Sequence, residues 1–237
     1  MMDGEKFKQI IVLGIYSSGT SMVAGILANL GIDMGDCGYG KDADKVNPKG
    51  YFEDRDFSCV NHSIYRHLRR DYIGILEADY KRIERGNDNR TEELKKELKD
   101  YIKKRNKKKV WGVKDPRMVP LFPLYQKHLE NPYIIIIRRS GKDITSSLRR
   151  KSGRSQSAVN MVFNTHFKIL NGIKTDLIKR KWKFIELEYN DFLSDPRGQV
   201  QKICDFIEVK INKKAVNFIM SSKEKVRQRK KYEKVLH

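Results

Sequence analysis

The chain has 237 residues, with 50 Lys and Arg against 30 Asp and Glu, a formal net charge of +20, and 39% hydrophobic residues. That length suits one well-buried α/β domain and crowds two, and the hydrophobic content excludes global disorder. No apolar run approaches the ~20 residues that span a bilayer, and the first strand follows the N-terminus too closely for a signal peptide, so a cytoplasmic protein is expected.

An apolar run ending at Leu13 predicts a strand over 8–13, feeding the turn Gly14-x-x-x-x-Gly19-Thr20-Ser21. A helix is expected over 20–30, with Met22, Val23, Ile26, Leu27 and Leu30 at helical spacing. Strand, glycine turn and helix in that order aim backbone N–H groups and the positive end of a helix dipole at one point, a site for a phosphate-like anion. Thr20 stands where a nucleoside triphosphatase P-loop has lysine, which points to a nucleotide ligand without ordinary ATP hydrolysis.

Residues 31–60, rich in Gly, Asp and Asn, read as a long functional loop, followed by a helix over 61–70. The segment 90–106 reads as a charged surface helix with Asn89 as N-cap, Glu92 three residues on, and a narrow stripe of Leu94, Leu98 and Ile102. The basic run 103–109 leads into a short strand, Val110–Val113, and Tyr133–Ile137 is the clearest buried strand. Helices are expected near 142–150 and 156–180, then a strand over Trp182–Glu188, and helices over 197–208 and 212–221 before a basic tail, about 222–237. Strands alternating with helices predict an α/β fold, a central parallel sheet flanked by helices on both faces. One domain spans 1–237, its core about 8–208.

Charge is uneven. Residues 1–79 hold 9 basic and 12 acidic side chains, and the remainder holds 41 and 18. Such a balance predicts attraction to anions, whether a nucleotide, an acidic acceptor, nucleic acid or an anionic surface. Cys37, Cys59 and Cys204 fit neither a disulfide framework nor a metal site and read as thiols in a reducing compartment.

Polar clusters follow the buried strands, and in a doubly wound sheet such clusters meet at the carboxyl edge. Lys114 follows the second strand directly, with Asp115, Pro116 and Arg117 behind it. Arg139 and Ser147 follow the third, a fork of donors and a hydroxyl able to grip one phosphate from two directions. Glu53, on the loop after the glycine turn, is a candidate general base, with His62 as an alternative. The other histidines, His67, His128, His166 and His237, are assigned to surface or partly buried positions, and none has metal-ligand spacing.

Together these clusters resemble the sulfotransferase family, which transfers a sulfuryl group from 3′-phosphoadenosine 5′-phosphosulfate (PAPS). The family's G-x-x-R-S-G-T-S/T loop is matched by Gly14 to Ser21, and its R-x-P-x-D-V-x-x-S motif by Arg139 to Ser147. Its K-D-P strand end, seen in the bacterial and tyrosylprotein-type branches, is matched by Lys114-Asp115-Pro116, and its G-Y-F-E segment by Gly50-Tyr51-Phe52-Glu53. A late Y-x-D-L-x-x-x-P segment is matched by Tyr189 to Pro196. The chain departs from the family at Ser17, where the loop usually has a basic residue, and at Gly141, where the second motif has proline.

The resemblance implies a three-layer P-loop-like fold and a metal-free transfer to a hydroxyl or amine of an acceptor such as a carbohydrate, releasing adenosine 3′,5′-bisphosphate (PAP). It assigns the 5′-phosphosulfate to Ser17, Ser18, Gly19, Thr20 and Ser21, with the N–H groups of 18–21 as donors. The 3′-phosphate falls to Arg139 and Ser147, and the adenosine lies near Tyr189. Lys114 would stabilise the transferring group and Glu53 accept the proton; Arg117, Lys114 or a tail residue would replace the basic residue missing at Ser17. A P-loop kinase would instead need ATP and Mg²⁺, and the missing lysine opposes it. A nucleic-acid-binding role would rest on the basic segment alone, with no recognised module.

Overall fold

The structure is a computed structural model that describes residues 7–37, 47, 49–68 and 77–221, without the side chains of 77–80. The basic tail, residues 69–70 of the expected second helix and His237 lie outside the described residues.

Among the described residues four strands form one parallel sheet in the order β2-β1-β3-β4: β1 (Lys8–Leu13), β2 (Val110–Lys114), β3 (Pro132–Arg138) and β4 (Lys183–Glu188). Val12 pairs with Lys114 on one side and Ile135 on the other. The chain passes from β1 to β2 on one flank and then to β3 on the opposite flank. The carboxyl end of β1 is therefore where the strand order reverses, and open α/β sheets bind ligands there.

Alternation along the strands builds two cores. Ile11, Leu13, Trp111, Val113, Ile134 and Ile136 face one way and Ile10, Val12, Tyr133, Ile135 and Ile137 the other, all nearly or fully buried. The first face is covered by α2 (Arg55–His67), α3 (Glu77–Arg85), α4 (Asn89–Arg105), α5 (Met118–Gln126), α6 (Gly141–Ser152) and α7 (Gln156–Lys179). The second is covered by α1 (Thr20–Asn29), α8 (Tyr189–Ser194), α9 (Pro196–Ile207) and a final helix, α10 (213–221). The result is the expected three-layer arrangement.

Some boundaries differ from those expected. The second helix starts at Arg55 because Asp54 caps it, its carboxylate accepting from the Asp56 N–H at 3.0 Å. Asp88, not Asn89, caps α4, accepting from the Thr91 N–H at 3.1 Å and the Thr91 hydroxyl at 2.6 Å. Lys114 is the last residue of β2, not the first beyond it. Helices α3, α5 and α8 were not among the expected elements. In α5, Pro120 in the first turn and Pro123 inside the helix hide the periodicity. The helix persists because nearly its whole surface is buried.

Candidate active site

The loop after β1 is shaped by two left-handed residues, Ser17 (φ 67°) and Gly19 (φ 109°). Gly14 is packed too tightly for any side chain: a Cβ there would lie 2.5 Å from Ser18 Oγ and 2.8 Å from both Ile137 and Thr20 side-chain carbons. At Gly19 a Cβ would lie 2.5 Å from Tyr189 Cδ2, so the Tyr189 ring rests on the bare glycine backbone. Helix α1 then begins at Thr20 with no side-chain cap and no acidic residue in its first turn. Its opening N–H groups and dipole are left for a ligand. Of the loop donors expected to face an anion, the Ser18 N–H is already spent on the Ile15 carbonyl at 3.0 Å.

Arg139, just past β3, ties the loop to α8. Its Nη1 donates to the Ser17 carbonyl at 3.1 Å, its guanidinium lies 4.4 Å from the centre of the Tyr189 ring, and Asp143 Oδ2 is 3.7 Å from its Nε. Arg139 Nε, Ser17 Oγ and Ser18 Oγ are buried with no hydrogen-bond partner among the described residues. Buried polar atoms are rarely left so, and three beside one loop fit a polar ligand seated against it. Ser147 lies on the buried face of α6 with Ile144 and Leu148, about two turns beyond Arg139.

Lys114 is fully buried at the end of β2, next to β1 in the sheet. Its Nζ donates to Glu53 Oε1 at 2.6 Å and to Ser21 Oγ at 3.2 Å, so one ammonium touches both the candidate base and the loop. Burial pushes the Glu53 carboxyl above its ordinary value, with the Lys114 charge opposing. Glu53 arrives on a strained turn: Gly50 has φ 87° and Phe52 φ 54°, the latter held by an edge-on contact with Phe218 of α10.

Asp115 and Arg117 support this pair. Arg117 donates to Asp115 from Nε at 2.9 Å and Nη2 at 2.7 Å, while Asn61 Nδ2 at 3.0 Å and Ser58 Oγ at 3.3 Å, both on α2, donate to Asp115. The Tyr125 hydroxyl donates in turn to Asn61 Oδ1. Arg117 Nη2 also lies 3.9 Å from Glu53 Oε2. Ser58, Asn61 and Tyr125 were not singled out in the sequence, although Asn61 follows Phe57 at the spacing of one buried helix face.

His62 is exposed on α2, and among the described residues no hydrogen bond or ion pair joins it to this cluster. His166 departs from expectation: it is fully buried, stacked on Tyr16 of the loop at 5.5 Å, with neither ring nitrogen partnered among the described residues. Burial lowers its pKa to about 4. Its place in the stripe Val159, Val162, His166, Ile169, Ile173 was the missed signal. Cys37 and Cys204 are buried and Cys59 exposed, all as free thiols. Among the described residues no group of three or more His, Cys, Asp or Glu side chains could hold a metal ion, and no helix is long and apolar enough to cross a membrane.

The family model described as "Sulfotransferase family" matches residues 9–213. The chain belongs to the sulfotransferase family. Solved sulfotransferases share its fold. The sulfotransferase domain of the olefin synthase from Synechococcus PCC 7002 superposes with a TM-score of 0.55 at 14% identity, covering 89% of this chain and 76% of that one. Sulfotransferase STF1 from Mycobacterium tuberculosis gives 0.51 at 14% identity, covering 91% of this chain and 71% of that one. The sulfotransferase domain of the curacin biosynthetic pathway gives 0.50 at 10% identity, covering 89% and 77%. A search of curated proteins returns no match. The sulfotransferase match spans every cluster built above, from the glycine loop to α9.

Proposed function

We propose that this sulfotransferase moves a sulfuryl group from PAPS to a hydroxyl or amine of an acceptor and releases PAP. The observation that carries the reading is the reach of Lys114 Nζ, which bonds Ser21 of the anion loop and Glu53 at once. A base and a cation beside an uncapped helix start are the parts an in-line transfer of a charged group needs.

In this reading the N–H groups at Thr20 and Ser21 and the loop hydroxyls hold the 5′-phosphate. Arg139 and Ser147 hold the 3′-phosphate, and Tyr189 bounds the adenosine side. Lys114 leaves Glu53 to follow the bridging oxygen as its bond to sulfur breaks. The freed carboxylate takes the acceptor's proton as the new sulfur–oxygen or sulfur–nitrogen bond forms. Raised basicity from burial suits Glu53 to that step.

Arg139 also answers for the missing loop charge. Arg117 is committed to Asp115 and Lys114 already serves the transferring group, whereas Arg139 bonds the Ser17 carbonyl. One guanidinium then serves the loop and the 3′-phosphate side together.

The test is incubation with PAPS labelled in its sulfuryl group and a panel of phenols, amines and saccharides. Label appearing on an acceptor, without added metal, is the expected result. Phosphate transfer from Mg-ATP with no transfer from PAPS would contradict the proposal.

A further inference from the structure

An open cleft of about 630 Å³ lies where α6 turns into α7, lined by Ser146, Arg149 and Arg150 of α6 and by Arg154, Ser155 and Gln156 leading into α7. The turn is made by Gly153 at φ 67°, and Ser155 caps α7, its Oγ accepting from the Ala158 N–H at 3.3 Å.

The charged side chains among the described lining residues are all basic. None of the described lining residues is acidic, and Arg149 and Arg150 are exposed with no ion-pair partner among the described residues. The negative end of α6 offsets part of that charge, as it would for any basic residue in a last turn. The start of α7 adds positive potential back, because its first turn holds no acidic residue. A concave surface that presents the exposed guanidinium groups of Arg149 and Arg150 attracts anions and pairs in fork geometry with carboxylate or sulfate oxygens.

Its position relative to the site follows from two contacts. A Cβ at Gly141, where α6 starts, would lie 2.9 Å from Phe163 of α7, and His166 of α7 stacks on Tyr16 of the anion loop. From His166 back to Gln156 the helix covers about 15 Å. The pair α6–α7 therefore stands out from the loop's edge of the sheet, with the arginine cleft toward its tip.

We propose that this cleft binds an anionic group, a carboxylate or sulfate ester, on an elongated acceptor whose reacting hydroxyl lies at Lys114 and Glu53. The assignment rests on the sulfotransferase reading above and adds the acceptor's class to it.

The probe is a fluorescent hydroxypyrene trisulfonate, titrated by anisotropy with the donor site filled by saturating PAP. Wild-type protein binds the dye saturably, and Arg149→Ala/Arg150→Ala weakens binding at least about tenfold, as loss of two charge-assisted contacts implies. Affinity for PAP stays unchanged in that variant, and Lys96→Ala/Lys99→Ala on α4, which removes the same net charge, leaves dye binding within about twofold. Equal weakening by both variants overturns the proposal, as does dye binding untouched by loss of the arginines. PAP affinity falling together with dye affinity also overturns it, giving the cleft to the donor. Tighter, arginine-dependent binding of a short single-stranded DNA overturns it in favour of nucleic acid. Failure of PAP to bind wild type instead strikes the sulfotransferase reading, and is seen separately in the PAP titration.

Discussion

Lys114 and Glu53 meet at 2.6 Å in a place almost closed to water, the lysine fully buried and the glutamate 8% exposed. A buried pair of this kind is weak evidence for stability, since desolvation of both charges offsets most of their attraction. Its position under the glycine loop, with a second bond from the same ammonium to Ser21, suits it to the proposed transfer.

Glu53→Gln preserves shape and the family fold while removing the base. Turnover falls about 10²–10⁴-fold with PAP binding retained. In the wild type the rate falls as pH is lowered through the Glu53 pKa, and burial places that limb above the ordinary value of 4.5. Steady-state rates across pH check both points: the acid limb disappears in Glu53→Gln.

Lys114→Ala leaves Glu53 buried and without its nearest cation, at a cost of about 3–5 kcal/mol. The double change Lys114→Met/Glu53→Gln removes both charges and recovers much of that stability without recovering turnover. Urea denaturation of the three proteins beside the wild type separates folding from chemistry.

Gly19→Ala meets two obstacles, φ of 109° and a Tyr189 carbon 2.5 Å from the new methyl. Gly31 has φ 90° and open space around it, so Gly31→Ala carries the backbone cost alone, about 1 kcal/mol. Gly19→Ala loses more stability than Gly31→Ala and weakens PAP binding, which Gly31→Ala leaves unchanged. Denaturation and calorimetry on the two variants give the comparison.

His166 makes stability depend on pH. Its folded pKa is lowered to about 4 from 6.5, so between those values the unfolded chain binds a proton that the folded one refuses. Stability from this residue is complete above pH 6.5 and is lost as pH falls toward 4, about 3 kcal/mol in all. His166→Phe keeps a ring against Tyr16 and removes this slope. Unfolding free energies at neutral and acid pH measure it.

The strands β1 and β3 were legible because their unbroken β-branched runs, Ile10–Val12 and Ile134–Ile137, have few other readings. The glycine loop was legible for a similar reason: two glycines and paired hydroxyls exceed what a turn requires. Other features depended on what tertiary packing supplies. The prolines of α5 mask a helix that burial sustains, and the polar start of α2 resembles a loop until Asp54 is seen capping it. No spacing in the sequence announces that Arg139 reaches the Ser17 carbonyl or that Tyr189 lies on Gly19, since both contacts join segments far apart in the chain.

Donor binding is tested first by calorimetric titration with PAP, with ADP as control, on wild type and Arg139→Ala. Wild type is expected to bind PAP much more tightly than ADP, and Arg139→Ala to lose most of this preference. Equal affinity of the wild type for PAP and ADP would contradict that expectation.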